Sequence, residues 1–94
     1  MKHRPPPAAS VNRLRQLVDT VASARTKHEA RPGVMQLRAE TRQLKRVLPP
    51  LAASVLARVT REAEAASGTV FDKGHRLAEL QESWELLVRL LGGL

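Results

Sequence analysis

Residues Leu44–Ala52, LKRVLPPLA, decide how this chain folds. An apolar stripe of Val34, Leu37, Leu44, Leu48, Leu51, Val55, Val59 and Ala63 passes through them in helical phase. The pair Pro49-Pro50 interrupts it, removing two backbone donors and disfavouring helical dihedrals at Leu48. An unbroken helix of about 34 residues would also project beyond so small a domain. Either one long helix is sharply kinked there or, the favoured reading, one helix ends near Leu48 and the next carries Pro50 in its first turn.

Downstream, an alanine-rich stretch that propagates helix well stops at Ser67-Gly68. After the connector Thr69–Lys73, with Asp72 as the expected cap, a last helix runs from Lys73 to Leu91 and ends at Gly92-Gly93. Its core stripe is Leu77, Leu80, Trp84, Leu87, Val88 and Leu91. Upstream, Ser10 is the expected N-cap of a first helix reaching about Glu29, with Val11, Leu14, Leu17, Val18, Val21 and Ala22 on its apolar face. Pro32-Gly33 is expected to stop that helix and turn the chain.

No run alternates with period two, so no strand is expected. The fold class is all-α, a small antiparallel bundle of three to four helices. Residues 1–9 (MKHRPPPAA) are expected to be a disordered basic, proline-rich N-terminal arm or an extended polyproline-type lead-in, and residues 10–94 a single helical domain. A chain of this length buries only somewhat more than about 60% of its unfolded surface. With so much alanine in the core, marginal stability or self-association is expected.

Composition narrows the function classes. The 94 residues contain no Cys and no Tyr, one Phe and one Trp. This excludes a disulfide framework and a cysteine zinc site, and leaves no aromatic platform for stacking single-stranded bases. Neither a membrane span nor a secretory signal is present, so a cytoplasmic protein is expected. Charge is uneven. Residues 1–46 hold 11 Lys+Arg and three acids, a balance of +8, whereas residues 47–94 hold five and six, a balance of −1.

Two surfaces stand out. Arg38, Arg42, Lys45 and Arg46 share an arc, Arg42 standing four residues from Arg38, three from Lys45 and four from Arg46, and Lys2 and Arg4 in the arm add to them. They suit an acidic partner or the phosphates of a nucleic acid. The bland reading is a solvated face enriched by arginine-rich coding, given 12 Arg against four Lys and no Ile. The second surface is on the last helix, where Leu86 and Leu90 project about 180–220° from Leu77. With Trp84 and Leu94 they make a partner or dimer interface, unless the arm or the first helix covers them.

Catalysis is not expected. His28-Glu29 opens like a metalloprotease motif, but Pro32 stands where the second histidine is needed. His75 and Glu79 are one turn apart, a spacing commonest in solvated pairs, and Glu85–Arg89 and Arg76–Glu79 read as surface ion pairs. No cofactor, metal or small-molecule substrate is inferred.

From Leu37 to Leu91 the chain resembles a small actinobacterial helical family of unknown function, encoded in some natural-product gene neighbourhoods. The likeness rests on the Leu37-Arg38 helix start, LKRVLPPLA, the alanine-rich helix closing at Ser67-Gly68, and the terminal His75–Leu80, Trp84, Leu86, Leu87 pattern. The chain departs from it by ending in Leu-Gly-Gly-Leu rather than in a polar aromatic segment. The resemblance implies an all-α domain and assigns no site residues. The expected function is a non-enzymatic interaction module, an adaptor or regulator that docks through its last helix while its basic half attracts an acidic partner. The alternative is a nucleic-acid-binding accessory protein.

Overall fold

Capping chemistry divides the chain into four helices, α1 (Ala8–Ser23), α2 (Lys27–Lys45), α3 (Pro50–Ala66) and α4 (Lys73–Gly92). The computed structural model describes residues 8–92, and among these there is no strand. The basic arm up to Pro7, with Lys2 and Arg4, lies outside the described residues, as do Gly93 and Leu94. Ala8 and Ala9, assigned above to the arm, already belong to α1.

The break at the two prolines is present. Arg46 caps α2 by donating its N–H to the Gln43 and Leu44 carbonyls. Leu48 is buried beneath the turn. Pro49 stands at the N-cap of α3, and Pro50 opens the helix where no intrahelical donor is needed.

The first helix differs from expectation. It ends at Ser23 rather than near Glu29, because Thr26 restarts the chain. Thr26 is extended (φ −134°, ψ 158°), and its hydroxyl accepts from the Glu29 amide at 3.0 Å. That bond satisfies a donor which a continuous helix would have tied to Arg25. Pro32 consequently lies in the second turn of α2, exposed and removing one backbone bond, instead of stopping a helix. Gly33 beside it is a crossing point: a Cβ there would stand 3.1 Å from Cγ2 of Val21 on α1.

Helix α3 packs against all three other helices, and α1 also packs against α2. The core joins Leu14, Val18 and Val21 of α1 and Leu37 of α2 to Leu56 and Val59 of α3 and Leu80, Leu87 and Leu91 of α4. Leu51, Leu77 and Val88, expected in the core, are exposed. Leu51 is in the first turn of α3, and Leu77 and Val88 share one side of α4, with Leu77 at the rim of a cleft against Arg15 and Thr20 of α1. The molecule measures 44 × 23 × 20 Å. Its longest helix has 20 residues and is about 30 Å long.

The carbonyl ends of α1 and α3 meet and are closed by two lysines. Lys73 Nζ donates to the carbonyls of Ala22 and Ala66, the latter at 2.9 Å, with that of Ala24 at 3.4 Å. Lys27 Nζ donates to the Glu64 carbonyl at 2.6 Å and to the Ser67 hydroxyl at 3.0 Å. Gly68 turns the chain with φ +71°, and its amide donates to the Ala24 carbonyl at 2.9 Å. Asp72 receives α4 through its backbone, its carbonyl accepting from the Arg76 amide at 2.9 Å.

Two glycine substitutions should act with opposite signs. Gly68→Ala imposes a left-handed conformation costing about 1–2 kcal/mol and sets a Cβ 3.2 Å from the Lys27 amide nitrogen. Gly74→Ala, with nothing within 4 Å of its Cβ, should gain about 0.5 kcal/mol. Urea denaturation of both variants checks the pair.

Candidate anion-docking groove

The cationic arc of α2 faces a second set of cations on α3. Arg38, Arg42 and Lys45 line one side of a groove of about 660 Å³, and Arg58 and Arg61 line the other. Ser54, Ala57, Thr41 and Thr60 fill the space between, and Glu64 is the single acid of the lining.

The floor is fixed by a buried hydroxyl pair. The Thr60 hydroxyl donates to the Leu56 carbonyl at 3.1 Å. Its single proton is thereby used, so at their 3.0 Å separation Thr41 is the donor to Thr60. The pair ties α2 to α3 without leaving a buried polar atom unmatched. At one end Arg38 Nη2 meets Glu64 Oε1 at 2.5 Å, an ion pair with an exposed arginine. Arg42, Lys45, Arg58 and Arg61 have no carboxylate partner among the described residues. Four uncompensated cations in one groove repel one another, which an anion in the groove would relieve.

The expected residues distribute unevenly over this geometry. Arg38, Arg42 and Lys45 come together as the spacing implied, while Arg46 caps α2 outside the groove lining. Arg58 and Arg61 were missed. Their i,i+3 spacing on the polar side of α3 is visible in the sequence, but that they face α2 depends on how the two helices pair.

On α4 the apolar residues separate. Trp84 is only 8% exposed and belongs to the core. The Arg15 guanidinium lies 5.3 Å from its ring centroid and donates to Gln81 Oε1 at 2.9 Å, tying α1 to α4. Leu90 is half-buried against the core, and Leu86 remains 37% exposed. Phe71 is fully exposed on the α3–α4 connector.

His75 Nε2 and Glu79 Oε1 are 2.8 Å apart with both side chains exposed, a solvated surface pair. It replaces the expected Arg76–Glu79 pair, and Glu85 accepts from Gln81 at 3.3 Å rather than pairing with Arg89. Among the described residues no group of three or more His, Cys, Asp or Glu could hold a metal ion, and no helix is long and apolar enough to cross a membrane. No protein-family model, curated protein or solved structure matches this chain.

If the groove cations are not structural, Arg42→Glu and Arg58→Glu should change stability by no more than about 0.5 kcal/mol. Thr41→Val beneath them removes a buried hydrogen bond and should cost about 1 kcal/mol. Denaturant titration of the three variants distinguishes rim from floor.

Proposed function

We propose that this chain is a small antiparallel helical bundle that acts as a docking module, seating an acidic protein segment in the α2–α3 groove. One observation carries the reading: Arg42, Lys45, Arg58 and Arg61 converge from two helices without carboxylate partners among the described residues. Such a surface accelerates encounter with an acidic partner and sets its register.

The shape favours a polypeptide over a nucleic acid. The slot lies between two helices, with Ala57 and the threonines between its cationic sides. An amphipathic helix with acidic flanks fits such a slot. Duplex recognition ordinarily places a protruding helix or ribbon in the major groove. Single strands are held on aromatic platforms, and the two aromatic residues of the chain, Phe71 and Trp84, are both outside the groove lining. The role that follows is recognition, an adaptor or regulator working by docking.

Fluorescence anisotropy with a labelled glutamate-rich peptide, and with single-stranded DNA of the same charge, tests the proposal. The peptide should bind, weaken as salt rises, and lose about tenfold or more in affinity in the Arg42→Glu/Arg58→Glu double variant, an effect of roughly 1.4 kcal/mol. Tighter binding of the DNA, lost in the same variant, would move the partner to nucleic acid and overturn the proposal.

A further inference from the structure

We infer that one occupant of the α2–α3 groove is helix α4 of a second copy of this chain. The inference rests on the docking reading above and names a partner for it. The distribution of carboxylates supports it. Of the nine acids, Asp19, Glu40 and Glu64 are paired with arginines, and Glu62 accepts from the buried Ser83 hydroxyl. Along α4, Glu79, Glu82 and Glu85 are all exposed. Glu82 and Glu85 have no cationic partner among the described residues, and Glu79 has only His75.

The geometry of this strip suits the groove. At about 100° per residue, Glu79 and Glu85 diverge by roughly 120°, so that one can reach the α2 side and the other the α3 side. Glu82 falls midway between them, and one turn beyond it, within the same arc, Leu86 is exposed and of a size to rest on Ala57. Glu79 to Glu85 spans six residues, about 9 Å, and Arg38 to Lys45 on α2 spans seven, about 10 Å. The acidic strip of one copy therefore matches the cationic side of another in length and in sign. Groove and strip are different surfaces, so the contact is heterologous, joining unlike faces of two copies.

The test is a charge swap read by light scattering and sedimentation equilibrium at low salt. The wild-type chain should show a mass above its 10.4 kDa, returning to that value as salt is raised. A groove variant, Arg42→Glu/Arg58→Glu, and a strip variant, Glu82→Lys/Glu85→Lys, should each be monomeric alone. Mixed, each offers the other one complementary face, and association should return. A wild-type chain that stays monomeric at every concentration, or association that survives both swaps, overturns the inference. If the chain is monomeric yet the acidic peptide still binds through Arg42 and Arg58, only the second copy is removed. If the peptide also fails to bind, the docking reading falls with it.

Discussion

The Lys73 ammonium, placed against the carbonyls of Ala22 and Ala66, closes the end of the bundle on which the other helix positions depend. The last carbonyls of any helix lack partners, and bringing two such ends together in a half-buried place costs free energy unless a donor meets them. A cation suits both the hydrogen bonds and the negative ends of two helix dipoles. Lys27 does the same for the last turn of α3, and the Gly68 amide joins α3 to the residue just after α1. With both ends held, α2 and α4 start from the same region of the molecule, and α3 runs between them.

The cations of this basic protein therefore fall into groups with different work. Lys27 and Lys73 satisfy carbonyls, and Arg15 joins α1 to α4 through Trp84 and Gln81. Arg13 and Arg38 pair with Glu40 and Glu64 across helix boundaries. Of the remainder along α2 and α3, Arg42, Lys45, Arg58 and Arg61 are gathered in one groove over the Thr41–Thr60 pair, while Arg31 lies elsewhere on α2. Net charge alone suggests a diffuse affinity for anions. Subtracting the cations already committed to the fold turns it into a defined site between two helices.

Much of the architecture was legible where the governing chemistry is local. Pro49-Pro50 breaks the central stripe because proline lacks a donor and constrains its neighbour, whatever the tertiary setting. Ser67-Gly68 ends α3 because the turn needs a positive φ. The α1–α2 boundary was misread because two local signals competed. Pro32-Gly33 looked like punctuation, while the quieter Thr26-x-x-Glu29 pattern held the cap, and the tight approach of Val21 to Gly33 emerges only when α1 and α2 pack. The same limit applies to the site. The α2 cations could be grouped from their spacing, but Arg58 and Arg61 join them through a pairing of helices that spacing does not encode. Trp84, placed by its spacing both on the core stripe of α4 and at its partner surface, is buried in the core with Arg15 over its ring.

The most direct measurement is a backbone amide chemical-shift map of the protein titrated with a glutamate-rich peptide. The perturbed amides should cluster between residues 38 and 45 of α2 and between 54 and 61 of α3, and should recover as salt displaces the peptide. Perturbations confined to α1 or to the Val70-Phe71 connector, or spread evenly over the surface, would contradict a groove built to receive an acidic segment.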